Sequence, residues 1–134
     1  MEYQWIERFE SDRGRELFDL YRKEWWTKER PFDDVVHMLA HSDIVLGCCA
    51  SDGQLIGFAR VLTDYTFKAF IFDVIVHSDF RGRGIGQAIV KRIISHESLR
   101  KVRSFELYCP DRLIAFYEKL GFIKGSSSLL FHQR

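Results

Sequence analysis

The sequence predicts one α/β (mixed α+β) domain, a mostly antiparallel mixed sheet of six to seven strands flanked by about four helices. Three observations lead there. Apolar residues alternate in some segments and recur at helical spacing in others. Three strand-like runs between residues 43 and 76, joined by short turns, read as an antiparallel meander. A run rich in β-branched and aromatic residues then passes into a glycine-rich turn and a helical stripe, "FRGRGIGQAI" at Phe80 to Ile89. Strands and helices in this order place helices on the faces of a sheet.

The elements follow in order. "YQWIERF" (Tyr3 to Phe9) alternates and reads as a strand. "SDRGRELFDLYRKEWW" changes period, with Leu17, Leu20, Tyr21 and Trp25 on one helical face; Ser11 or Asp12 is the expected N-cap and Pro31 ends the region. A second short helix, "DDVVHMLAHS", starts from Asp33. "DIVLGCCA" and "QLIGFARVL" form a hairpin about Asp52-Gly53, a pair suited to a turn with positive φ at both central residues. "FKAFIFDVIV" (Phe67 to Val76) is the third strand of the meander. Ile85, Ala88, Ile89 and Ile93 stripe the helix after the glycines. "SFELYC" is a strand, "DRLIAFYEKLGF" a helix that Gly121 ends in the left-handed conformation, and "SSSLLFHQR" a closing strand.

Composition narrows the function. The chain has 134 residues, enough for one domain (1–134) with a sizeable core, and is 46% hydrophobic, outside the disordered class. A formal charge of +1 argues against a general affinity for nucleic acid. Cys48, Cys49 and Cys109 make no even disulfide framework and no metal-ligand spacing, so they read as reduced, buried small hydrophobes, with no metal expected. The opening "MEYQWIERFE" lacks the basic start and apolar run of a leader, and no apolar stretch reaches the length of a membrane span. The expected location is the cytoplasm.

Three glycines within five positions are costly inside a regular element, about 0.5–1 kcal/mol each relative to Ala. A strand running into such a turn and a helix binds phosphate: the first free N–H groups point at the anion and the helix dipole adds positive potential. Gly82, Gly84 and Gly86 clear side chains from the approach, and Arg81 and Arg83 can add charged hydrogen bonds. The competing reading is a tight strand–helix turn with solvated arginines. No Gly-Lys-Ser/Thr ends the segment, which excludes a Walker loop, and its G-x-G-x-G departs from the dinucleotide fingerprint G-x-G-x-x-G.

The pattern that fits is R-x-x-G-x-G, at Arg81, Gly84 and Gly86. With "FDVIVHSDF" before it and "AFYEKLGF" behind, the chain resembles the GNAT superfamily of acetyl-coenzyme A-dependent N-acetyltransferases, over most of its length. The resemblance implies that the turn from Arg81 through Gly82, Arg83, Gly84, Ile85 and Gly86 to Gln87 holds the pyrophosphate of coenzyme A. It implies that the backbone of Val74, Ile75 and Val76 holds the pantetheine arm, and that Tyr117 donates a proton to the leaving thiolate. Tyr117 also shares a helix face with Leu113 and Leu120, so packing alone would account for it. Many relatives carry an Asn near the start of the last helix; "CPDRL" has none, and no cofactor role is carried onto it. Dimers are frequent in the family, so a homodimer is an expectation.

The chemistry sets further demands. Freeing a lysine-like amine at pH 7 costs about 4.6 kcal/mol, so a base or water relay is needed, with an acid for the thiolate. Asp73 interrupts an apolar strand and is the candidate base or amine ligand; the alternative is a carboxylate paired with Lys68 or Arg60. His77 is a weaker candidate in the turn beyond. Trp25 and Trp26 are adjacent and cannot both face the core, so one is expected to line an acceptor pocket with Arg30, Glu24 or Glu29. The expected acceptor is a small primary amine attacking acetyl-coenzyme A directly. A protein N-terminus or lysine, or an acyl-coenzyme A-binding module without turnover, are the alternatives.

Overall fold

The computed structural model describes residues 2–10 and 12–134. Five strands form one sheet in sequence order: β1 (Gln4–Ile6), β2 (Ile44–Cys49), β3 (Leu55–Thr63), β4 (Lys68–Val76) and β5 (Ser104–Glu106). The first four are antiparallel, as the meander requires, and β5 joins β4 in parallel. Four helices, α1 (Arg13–Arg22), α2 (Phe32–His41), α3 (Ile85–Ile94) and α4 (Ile114–Glu118), cover the two faces.

Each face has its own core. Ile85, Ile89 and Ile93, spaced by one turn on α3, pack with Ala59, Val61 and Ile71. Burying each such isoleucine contributes about 1.5–3 kcal/mol. The helix sits close because β3 carries Gly57 there: a Cβ at that position would lie 2.9 Å from Ile89 Cδ1. On the other face Leu17, Leu20 and Tyr21 of α1 and Val35 of α2 pack on Phe58 and Ile75.

Several elements differ from the sequence reading. The β1 strand is shorter than Tyr3–Phe9, and α1 stops at Arg22 rather than reaching Trp25. There the Tyr21 carbonyl accepts from the Thr27 hydroxyl at 2.7 Å and from the Glu24 N–H at 3.1 Å, so the chain folds into successive turns. Asp12 precedes α1 without a side-chain capping bond, and Ser11 lies outside the described residues. In the β2–β3 turn only Gly53 has positive φ, with the Asp52 carboxylate accepting from the Gln54 N–H. Gly121, at φ 95°, ends the last helix as expected, and the Phe122 N–H closes back on the Tyr117 carbonyl. The expected closing strand "SSSLLFHQR" has no ladder partner among the described residues. Leu129, Leu130 and Phe131 stay exposed there, and the described residues form five strands instead of six or seven.

Candidate active site

β4 and β5 pair only over Lys68–Ser104, Ala69–Phe105 and Phe70–Glu106. Beyond that point β4 runs on to Val76 while the other chain leaves through Leu107 to Cys109, and a wedge opens between them. On the opposite side, the His77 N–H donates to the Ile56 carbonyl at 2.7 Å and Ile75 pairs with Phe58. By the two-residue alternation of an antiparallel ladder, Ile75 and His77 direct their polar groups to β3, while those of Val74 and Val76 face the wedge. The Val76 carbonyl there accepts from Arg81 Nε at 3.2 Å. This corrects the expectation for Ile75. Its backbone belongs to the ladder and its side chain to the α1-side core.

From the end of β4 the chain passes through Ser78–Phe80 into the glycine turn. Gly82 (φ 78°) and Gly84 (φ 80°) both occupy the left-handed region, and Gly84 is the residue from which α3 starts. A side chain there would be strained even though nothing lies within 4 Å of its Cβ position. Gly86 has a different task, since its Cβ would sit 3.4 Å from Phe116 Cζ and 3.7 Å from a Val76 methyl. Phe116, one of the apolar residues on the last helix's inner face, thus ties α4 to the start of α3 and the end of β4. The Ala88 N–H is the one that closes on the Gly84 carbonyl, so the preceding N–H groups of Ile85, Gly86 and Gln87 stand at the open helix end. Arg81 bonds Glu24 in the segment after α1, and Arg83 lies over the Phe80 ring.

Tyr117 lies in the same core as Val74, Val76, Leu107 and Cys109. It is 7% exposed, edge-on to Phe116 and Phe122, and its hydroxyl has no hydrogen-bond partner among the described residues. Burial, with Cys109 nearby, pushes its pKa up to about 12, so it keeps its proton at any working pH. Packing and proton donation are both compatible with this position.

Asp73 has a different setting from the one expected. It sits at φ 58° in a β-bulge where the β3–β4 register shifts between Phe58 and Arg60. Its carboxylate Oδ2 accepts from the Tyr21 hydroxyl (2.9 Å), Arg30 Nη1 (2.8 Å) and Arg60 Nε (2.8 Å), and Oδ1 from Arg30 Nη2 (3.3 Å). Burial alone would raise its pKa, but the hydrogen bonds from Arg30 and Arg60 prevail and hold it below the ordinary 3.8. A carboxylate saturated by two cations is a weak base. The assignment of Asp73 as catalytic base is therefore corrected, and the pairing with Arg60 is the alternative that holds. The same network raises the pKa of Tyr21, through burial first and the Asp73 charge second.

Among the acceptor-side candidates, Arg30 is drawn into this network, while Trp25 is 71% and Trp26 40% exposed in the turns after α1. His77 is buried, with Nδ1 accepting from the Asp79 N–H and Nε2 3.3 Å from Lys23 Nζ. Glu16, Asp19, Lys23, Gln54 and His77 line a cavity of about 190 Å³ beside α1 that includes neither the glycine turn nor Tyr117. Cys48 and Cys49 are buried and unpaired, whereas Cys109 is only half-buried. No helix among the described residues is long and apolar enough to cross a membrane.

The unpaired edge of β4, the left-handed glycine turn at the start of α3 and the buried Tyr117 are tied together by one core cluster that holds Val74, Val76, Ile85 and Tyr117. The family model for the acetyltransferase (GNAT) family matches residues 3–122. The chain belongs to that family. It is 37% identical over 112 residues to uncharacterized N-acetyltransferase ycf52 of Porphyra purpurea, covering 81% of this chain and 64% of that protein. It is 30% identical over 127 residues to histone acetyltransferase TAP1 of Glycine max, covering 85% of this chain and 54% of that one. The chain therefore spans a little under two thirds of the algal relative. Among solved structures, a putative GNAT acetyltransferase from Xanthomonas campestris superposes with a TM-score of 0.83 at 27% identity, over all of this chain and 94% of that one.

Proposed function

We propose that this GNAT chain transfers an acetyl group from acetyl-coenzyme A to the primary amine of a small molecule, by direct attack. The observation that carries the reading is the wedge. An extended arm can pair with the outward-facing polar groups of Val74 and with the Val76 N–H as an added strand, the Val76 carbonyl being held by Arg81, with its phosphates meeting the N–H groups at the start of α3. The left-handed Gly84 fits such a ligand, because nothing lies within 4 Å of its Cβ position. When bound, the cosubstrate supplies an activated acetyl thioester.

Tyr117 faces charge developing on sulfur. A free thiol has a pKa of about 8.5, so complete proton transfer from a phenol near 12 is uphill by about 4–5 kcal/mol. Tyr117 therefore acts by donating a hydrogen bond to the departing sulfur in a water-poor setting. With Asp73 saturated, the amine's proton leaves through water at the carbonyls around the bulge, where one residue of β4 lacks a ladder partner.

The test is thiol release from acetyl-coenzyme A across a panel of primary amines, with cofactor binding measured by calorimetry. Amine-dependent release supports the proposal. Binding without release under every amine leaves a non-catalytic acyl-coenzyme A module, and no binding refutes the cofactor assignment. The likeness to a soybean protein named as a histone acetyltransferase favours a second reading, a lysine side chain as acceptor, which lysine peptides in the panel would detect.

A further inference from the structure

The cluster at the bulge carries more positive than negative charge. Arg30 and Arg60 share the single carboxylate of Asp73, and the Tyr21 hydroxyl that completes the set stays protonated. Arg60 uses only its Nε on Asp73; its two Nη groups have no protein acceptor among the described residues, although its side chain is only 16% exposed. Those two groups form the parallel donor fork that suits a carboxylate or phosphate. The fork stands over the Phe72 ring, with Tyr108 edge-on behind it. Asp73 adjoins Val74, the end of the proposed seat for the cofactor arm that lies farther from the glycine turn, and so stands beside the transferring end of that seat. A plain ammonium brought to this site meets an uncompensated cation and is repelled.

We infer that the acceptor is a primary amine that also carries an oxyanion, carboxylate or phosphate, and that Arg60, supported by Arg30, binds this group beside the β4 bulge. The inference rests on the transferase reading for the place of the acceptor. Asp73 acts as a positioning residue: it fixes the Arg60 plane and neutralises one of the two cations, so that a single anion completes the balance.

The test compares matched amines that differ only in the anion: tyrosine with tyramine, phenylalanine with phenethylamine, phosphoethanolamine with ethanolamine. Calorimetric binding to the coenzyme A-loaded protein is measured alongside acetyl transfer. At least tenfold tighter binding of the anionic member in one series is expected, and the series that discriminates tells carboxylate from phosphate. Arg60→Gln and the charge-conserving Arg60→Lys should each reduce that preference to within threefold, because neither offers the fork. Equal binding within every wild-type pair, or a preference that survives in both folded variants, overturns the inference. Anion-dependent binding without thiol release would sink the transferase reading and keep the oxyanion site. Amine-dependent release indifferent to the anion would do the reverse.

Discussion

Asp73→Asn separates the two roles that a carboxylate in β4 could have. The substitution keeps the shape and removes the one negative charge that Arg30 and Arg60 share. The Asp73 side chain is 5% exposed and that of Arg60 16%, so most of the pair is shielded from water. Removing one partner of a buried pair costs about 3–5 kcal/mol. Arg30 is 35% exposed and partly screened, which brings the expected loss to the lower end, about 3 kcal/mol. For a domain of this length that lowers Tm by roughly 10 °C. The pH dependence has a definite sign. Because the folded-state pKa lies below the ordinary 3.8, the stabilisation is fully present above that value and disappears as pH falls through the folded pKa. Urea titrations from pH 7 down to pH 3 should therefore show a gap between wild type and variant that is constant near neutrality and begins to narrow as the pH falls below 3.8. A variant as stable as wild type at pH 7, with kcat alone depressed and the acidic limb of its rate profile gone, would refute this reasoning and restore Asp73 as the base.

Tyr21→Phe removes a 2.9 Å hydrogen bond to the same carboxylate and should cost about 1.5–3 kcal/mol in urea unfolding; no change would mean that water replaces the phenol there. Gly84→Val combines a left-handed φ with a branched side chain at the anion end of α3, and cofactor affinity measured calorimetrically should fall at least tenfold, about 1.4 kcal/mol. A folded Gly84→Val protein with unchanged affinity would remove the phosphate site from this turn. Tyr117→Phe keeps the edge-on contacts with Phe116 and Phe122, so turnover should drop about 10²–10⁴-fold with cofactor binding nearly intact. Parallel losses of stability and turnover would instead make Tyr117 a packing residue. In the wild type no alkaline limb from this phenol should appear below its pKa of about 12.

Most of the architecture was legible because periodicity reports local geometry directly. The meander, the α3 stripe and the left-handed end at Gly121 all follow from residue type and spacing. The closing strand failed for the opposite reason: a short apolar run such as that at residues 129–131 states a preference, and a ladder needs a partner that no local pattern supplies. The end of α1 depended on the Thr27 hydroxyl reaching back six residues to the Tyr21 carbonyl, a tertiary detail of one turn. In the site, glycine spacing marked the helix start correctly, but it could not say that Gly84 serves backbone conformation while Gly86 serves contact with Phe116. Tyr21 went unnoticed because it belongs to an apolar helical stripe, where its ring packs while its hydroxyl reaches Asp73.

A carboxylate at position 73 is odd in an apolar strand, and its cause lies in the backbone. In an unbroken strand Ile71 and Ile75 would share a face, since side chains repeat every two residues. Here Ile71 packs with the α3 stripe and Ile75 with Phe58 on the opposite side. A bulge supplies the extra residue that inverts the parity, and the residue that takes the left-handed φ must tolerate it, which Asp does better than any of its apolar neighbours. The same inversion turns Val74 and Val76 toward the wedge and the α3–α4 face, while it leaves Asp73 toward α1, where its charge demands cations. Arg60, across the ladder, and Arg30, from the turns before α2, answer that demand. One inserted residue thus frees the strand edge on which the cofactor arm is proposed to lie and gathers the cations proposed to read the acceptor. That linkage is why a carboxylate in an apolar strand can be central to a site without taking part in the proton transfer.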